Sequence, residues 1–255
     1  MEKLSNMTRG SCTQKFLLWL LTGTLFISCG RPSREETESA GRTESHVAVK
    51  KRADGSISSV NQVDDLNRVH GVRVTYYEDG KTVYSKTTFE HGIKNGPLVR
   101  YYRNGQMFEH TRFNHGKANG PTRKYYMNGD LMAEFSSENG LVLPGLKEYA
   151  RDGTLISEYP EVRFQVVDHL KEGNRIDLLI YCEPSVYPVK YYRTQPGTEH
   201  KDRVYLISER GKASLQFYVK PGDTLEEEVE VTAEIPTELG NTLVRYVSYP
   251  LHIRN

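Results

Sequence analysis

Along most of the chain, apolar and polar residues alternate with a period of two, in short runs closed by Gly, Asn, Asp or Pro. Such alternation places successive side chains on opposite faces of an extended strand. After Gly105, Met107, Thr111 and Phe113 share one face, and Gln106, Phe108, His110 and Arg112 the other. Further on, Val229, Val231 and Ala233 alternate with Glu228, Glu230 and Thr232. The pattern predicts an all-β protein. One stretch departs from it: Phe16–Ser28 is a largely apolar run of 13 residues.

Turn residues recur at a fixed phase. Tyr76-Tyr77-Glu78-Asp79-Gly80, Tyr101-Tyr102-Arg103-Asn104-Gly105 and Tyr125-Tyr126-Met127-Asn128-Gly129 align, and Tyr149-Ala150-Arg151-Asp152-Gly153 is a decayed fourth copy. The turn glycines Gly80, Gly105, Gly129 and Gly153 step by 25, 24 and 24 residues, with Gly92, Gly116 and Gly140 ending a second segment between them. Asp54-Gly55 followed by Ile57 hints at a further degenerate unit upstream. Asn-Gly and Asp-Gly are strong two-residue hairpin signals, because a type I′ turn needs positive φ at both central positions. Each unit is therefore expected to be a hairpin. Stacked, such hairpins form an antiparallel meander stabilised by nearest-neighbour packing. Residues 47–159 are assigned to this repeat domain.

The succession of paired tyrosines, Asn-Gly turn, aromatic-bearing strand and Gly-containing loop resembles the bacterial variant of the membrane occupation and recognition nexus (MORN) repeat. The resemblance covers about residues 68–159 and implies a MORN-like antiparallel β-hairpin repeat sheet. The family's second-strand glutamate would fall at Glu109 and Glu134, which stand one place out of register, and the first unit has Lys86 in that region. The third unit leaves through Leu143-Pro144-Gly145, where the earlier ones have Asn95-Gly96-Pro97 and Asn119-Gly120-Pro121. Bacterial proteins with these repeats are often grouped as antitoxin-like. That role is kept as a low-weight alternative, since an exported lipoprotein does not sit where a cytosolic antitoxin acts.

From Pro160 the repeat stops, and residues 160–255 hold about seven short alternating runs. Ile176, Leu178, Ile180 and Cys182 share one face, as do Leu215, Phe217 and Val219. Turns are marked by Glu172-Gly173-Asn174, Gln195-Pro196-Gly197, Arg210-Gly211 and Pro221-Gly222-Asp223. These features predict a small β-sandwich, immunoglobulin-like in architecture but without that family's disulfide or central Trp. Leu243–Tyr249, closed by Pro250, suits a final edge strand.

The apolar run at Phe16–Ser28 is preceded by Lys3, Arg9 and Lys15 and followed at once by Cys29. It falls short of the about 20 residues that span a bilayer but fits the apolar region of an export signal. Phe26-Ile27-Ser28-Cys29 resembles the bacterial lipobox, which implies cleavage after residue 28 and lipidation of Cys29. Residues 1–28 then form the signal peptide. Residues 29–46, polar and charged, read as a flexible tether reaching on the order of 20–25 Å. Trp19 is the single Trp and would leave with the signal. Cys12 would leave as well, so Cys182 would remain as the one free thiol. The expected location is the cell envelope, at the outer membrane, with the lipid anchor holding the protein to it.

Composition narrows the function classes. The net charge is +1 with both signs interspersed, so no global field points to nucleic acid. His91, His110 and His115 match no metal-ligand spacing, and no metal or other cofactor is expected. Cys182 continues an apolar face and reads as a buried, inert thiol. The most promising candidates are the second tyrosines of each pair. Counting alternation through the repeats, Tyr77, Tyr102 and Tyr126 lie on one face with Thr75, Arg100 and Lys124. That would be an exposed aromatic-cationic strip, the alternative being ladders that only stabilise the sheet. The reading is a non-catalytic, membrane-anchored scaffold that binds an envelope protein, or its own copy, through the repeat sheet. Contact with a glycan or with lipid is the alternative, and a hydrolase with its site between the two modules carries little weight.

Overall fold

The computed structural model describes residues 46–195 and 202–255. The signal peptide, Cys29 and all of the tether but His46 lie outside the described residues. Twelve strands make one sheet. They are β1 (His46–Lys51), β2 (Ile57–Val63), β3 (Val69–Tyr76), β4 (Val83–Glu90), β5 (Ile93–Tyr101), β6 (Met107–Asn114), β7 (Lys117–Ala118), β8 (Gly120–Tyr125), β9 (Leu131–Glu138), β10 (Leu141–Val142), β11 (Lys147–Tyr149) and β12 (Leu155–Ile156). Ten follow the chain as an antiparallel meander, while β7 and β10 flank β6 and β9. The array starts one hairpin earlier than the clear repeats, at β1–β2, so His46 belongs to a strand.

The turns follow two rules rather than one. At Asp54, Asp79, Asn104, Asn128 and Asp152 the expected type I′ geometry is not formed: the following glycine is at positive φ, but the Asn or Asp is not. In the second unit Gly105 N–H donates to the Tyr102 carbonyl at 3.0 Å, and Tyr102 N–H to that of Gln106 at 2.8 Å. This is a three-residue loop, a type I turn with a left-handed glycine and a bulge. The side chain decides the outcome, because Asn104 Oδ1 accepts from Gln106 N–H at 3.0 Å, and Asp54, Asp79, Asn128 and Asp152 accept likewise. Type I′ turns occur at the opposite edge, at His91-Gly92, His115-Gly116 and Asn139-Gly140, where both residues have positive φ. The first repeat is one residue longer because Tyr77 N–H bonds to Thr82, five positions on, whereas Tyr102 and Tyr126 bond four positions on.

Register assigns the faces. Ser59, Thr75, Ser85, Arg100, Glu109, Lys124, Ala133 and Glu148 pair across neighbouring strands in one row. On the other face run Val49, Val60, Val74, Lys86, Val99, His110, Arg123, Glu134 and Lys147. Glu109 and Glu134, one place apart in phase, therefore lie on opposite faces. Glu109 pairs with Arg100 at 2.8 Å, and Glu134 with Lys147 at 3.1 Å.

Beyond the repeats come β13 (Glu161–His169), a single helical turn α1 (Leu170–Gly173), β14 (Arg175–Glu183), β15 (Lys190–Thr194), β16 (Arg203–Leu206), β17 (Ser208–Glu209), β18 (Lys212–Tyr218), β19 (Thr224–Pro236) and β20 (Thr242–Arg254). They form two four-stranded sheets, ordered β13-β14-β18-β17 and β16-β15-β19-β20. Taking the strands in chain order, this is the ABED and C′CFG order of immunoglobulin-type sandwiches. The predicted apolar faces meet between the sheets: Ile176, Leu178, Ile180, Cys182, Val229, Val231 and Ala233 are all buried. Tyr191 on β15 is fully buried and takes the central place of the absent Trp, its hydroxyl donating to the Gly211 carbonyl at 3.0 Å. β20 does not stop at Pro250. It runs to Arg254, which an edge strand permits because the proline needs no outward N–H partner. The described residues fall in one compact unit, and Ala133 and Leu146 of the repeat domain belong to the sandwich core.

Candidate functional site

The tyrosines of the expected strip are staples between repeats. Tyr77 OH donates to the Tyr101 carbonyl, Tyr102 OH to that of Tyr125 and Tyr126 OH to that of Tyr149, each at 2.7 Å. Arg52, in the same turn position of the first degenerate unit, continues the series by donating from Nη2 to the Tyr76 carbonyl at 2.7 Å. The fourth unit has Ala150 there, and no fifth hairpin follows for it to hold. Each ring also packs locally: Tyr77 edge-on to Tyr84, Tyr102 edge-on to Phe108, with Arg103 over Tyr77 and Arg151 over Tyr126. Tyr126 is 7% exposed and the other two are half-buried. An exposed strip is therefore not what these residues form. The strand pairing skips Tyr84, Phe108 and Met132, which places a bulge just after each of these turns.

Arg100 and Lys124 face Glu109 across the strands. Lys124 leads into a network that joins the repeat sheet to the sandwich. Its Nζ donates to Asn241 Oδ1 at 2.6 Å, and Asn241 Nδ2 donates to Glu148 Oε1 at 2.6 Å. Thr237 Oγ1 donates to the same Glu148 oxygen at 2.6 Å, and Tyr159 OH to Glu148 Oε2 at 3.2 Å. Thr237 and Asn241 are the two ends of the β19–β20 turn, which repeats the three-residue loop of the array: Gly240 N–H donates to Thr237 and Thr237 N–H to Asn241, both at 3.0 Å. Space for this tip comes from Ala133, the row member between Lys124 and Glu148, which is fully buried. Burial holds the Lys124 ammonium below its usual range. Burial beside Glu148 pushes Tyr159 up to about 12. Sequence reasoning missed Glu148, Thr237 and Asn241, because their contacts span about ninety residues and leave no local pattern.

Next to this network lies a cleft of about 840 Å³ between the last repeat strands and the sandwich. Its wall includes apolar Ile156, Val186, Ile235 and Leu239, and its rim carries Glu158 and Glu238. Among the described residues Arg163 is the one Lys or Arg lining it, and it is already paired with Glu161 at 2.6 Å and Glu183 at 3.4 Å. Such a volume lies within the range of ligand pockets, which favour domain junctions.

His91 and His115 stand in turns at the opposite edge of the sheet, while His110 lies within β6 between Val99 and Arg123. His91 Nδ1 lies 2.9 Å from Asp64 Oδ2, with Arg68 on the same carboxylate, and the two hold Asp64 well below the usual carboxylate range. His115 contacts Asn114, and among the described residues no group of three or more His, Cys, Asp or Glu is placed to hold a metal ion. Cys182 is 4% exposed, with its thiol pushed up by burial. No protein-family model, no curated protein and no solved structure matches the chain.

Proposed function

We propose that the protein is a lipid-tethered, non-catalytic binding module of the cell envelope. In this reading the MORN-like sheet is a stapled platform, and the cleft at its C-terminal end contacts a partner protein. The cleft carries the proposal. Its apolar wall suits side-chain burial, and Glu158 and Glu238 have no ion pair among the described residues. A polypeptide segment bearing Lys or Arg beside apolar residues would complement both features. The buried carboxylate at the inner wall argues for binding over catalysis. Both oxygens of Glu148 accept hydrogen bonds, from Thr237, Asn241 and Tyr159, so the carboxylate serves as an anchor between modules.

Crosslinking in the native envelope, followed by mass spectrometry, tests the reading. A partner crosslinked near the cleft should be lost on the double change Glu158→Lys and Glu238→Lys. It should survive the same charge change at Glu226 and Glu228 on β19. Retention in the cleft variant would relocate the contact, and hydrolysis of a panel substrate by the purified protein would replace binding with catalysis. Palmitate labelling reads the anchor separately: an unlabelled Cys29 removes the tether and leaves the cleft to be judged alone.

A further inference from the structure

The array has two ends, and they are finished differently. At the C-terminal end the β19–β20 tip covers Ala133 and bonds Lys124 and Glu148. At the N-terminal end β1 has a partner on one side only, β2, among the described residues. The outer face changes character there. Val49, Val60 and Val74 pair in direct register, and Val47 and Val72 lie beside them; Val47 is 65% exposed, Val49 51% and Val72 37%. From β4 onward the same row reads Lys86, Val99, His110, Arg123, Glu134 and Lys147. Terminal units of repeat arrays ordinarily need a polar outer face to stay soluble. An open strand edge next to exposed valines is the reverse, a template for adding another strand.

We infer that β1 pairs antiparallel with β1 of a second copy, joining two arrays into one continuous sheet. The sequence of β1 fits itself in one register. With Ala48 opposite Ala48 of the second copy, Val47 stands opposite Val49 and His46 opposite Lys50. All four β1 valines then fall on one face, continuous with Val60, Val72 and Val74 of each array. Cross-strand β-branched pairs of this kind are the stabilising unit of a sheet. A register centred on Val49 instead puts Lys51 opposite Val47 and breaks the cluster. Lys51 therefore opposes that pairing and tolerates the one centred on Ala48.

The area is modest. Two six-residue strands and their flanking valines fall below the roughly 1,000 Å² of a stable dimer in free solution. The inference therefore rests on the tethering reading above, because confinement to one membrane raises the effective concentration of the copies. Its geometry permits this: in the Ala48-centred register the two His46 residues are about 14 Å apart along the strands.

The test uses the full-length, acylated protein in phospholipid vesicles. Cys182 is buried and Cys29 is blocked by lipid, so Ala48→Cys supplies the reactive thiol. Mild oxidation should yield disulfide dimers at least tenfold faster than with Ala53→Cys, which sits on the exposed turn after β1. Adding Val49→Lys to Ala48→Cys should remove the difference. Equal rates for the two cysteine variants overturn the pairing, and so does crosslinking of Ala48→Cys to another protein in the native envelope. Palmitate labelling precedes the experiment. If Cys29 is unlabelled, the tethering reading has failed, and the pairing is judged by sedimentation of the full chain at high concentration. There Val49→Lys must lower the dimer fraction, and no difference overturns the pairing independently.

Discussion

Replacing Tyr126 by Phe separates a stapling tyrosine from a binding one. The substitution keeps the ring, its packing and the Arg151 contact above it, and deletes a hydroxyl that donates to the Tyr149 carbonyl at 2.7 Å. At 7% exposure water has little access to replace the lost donor, so the carbonyl is left desolvated and unpaired. A lost bond of that kind costs about 1–3 kcal/mol. Tyr77→Phe and Tyr102→Phe remove bonds of the same length from half-buried rings, where water can substitute, and should cost about 0.5–1.5 kcal/mol each. The sites are one repeat apart and share no partner, so the three losses should add. Urea titration of the purified chain measures this as a lower midpoint at unchanged slope. If Tyr126→Phe stays within about 0.3 kcal/mol of wild type, or if Tyr77→Phe costs more than Tyr126→Phe, the stapling argument fails.

At the junction, Asn241→Ala removes the group that bridges Lys124 to Glu148, and should cost about 2–4 kcal/mol by thermal melting because both charges lose a buried partner. Acid should loosen the array through its turn carboxylates. Asp79 is held down to about 2 by the Thr82 hydroxyl and by the Lys81 and Thr82 amides, so its contribution is complete above the unfolded value near 3.8 and is lost as pH falls through about 2. A melting series from pH 5 to pH 2 should show that decline, with a shallower one for Asp79→Asn. His115 occupies the left-handed first position of a type I′ turn at φ 46°, which Asn adopts more readily. His115→Asn should raise stability by about 0.3–1 kcal/mol in urea titration, whereas His115→Val should lower it.

Much of the fold is legible because period-two alternation and glycine phase are local signals. The face of Ile176, Leu178, Ile180 and Cys182 is buried as the alternation required, and the repeat phase marks real hairpins. Turn type was less legible. An Asn or Asp before Gly serves either rule, and the choice is made by whether its side chain accepts an amide two residues on, as Asn104 does. The true type I′ turns at His91 and His115 carry a residue that composition does not associate with that geometry. The tyrosine strip failed because alternation gives a side chain's face and not its reach: each hydroxyl extends to a carbonyl one repeat on. A usable signal was present nonetheless. The second tyrosine recurs in the three clear units, each of which has a successor, and is replaced by Ala150 in the last, which is what a bond to the next repeat requires.

The two ends of the array carry the same logic further. Interior repeats are interchangeable, since each staples the next and receives one staple, so selection on function has most freedom where that chain stops. At the C-terminal end the row position filled by Ser85 and Glu109 becomes Ala133, a residue chosen by what must fit over it. The tip that fits there uses the array's own loop geometry, which lets a hairpin from another module dock as though it were one more repeat. Among the described residues the N-terminal end has an open strand and valines where a capping unit would put charge. Within those residues the sheet is closed at one end by its own sandwich and has its unsatisfied surface at β1. If charges placed at Val47 and Val49 left both assembly and partner recruitment unchanged, that asymmetry would carry no functional meaning, and the cleft alone would remain.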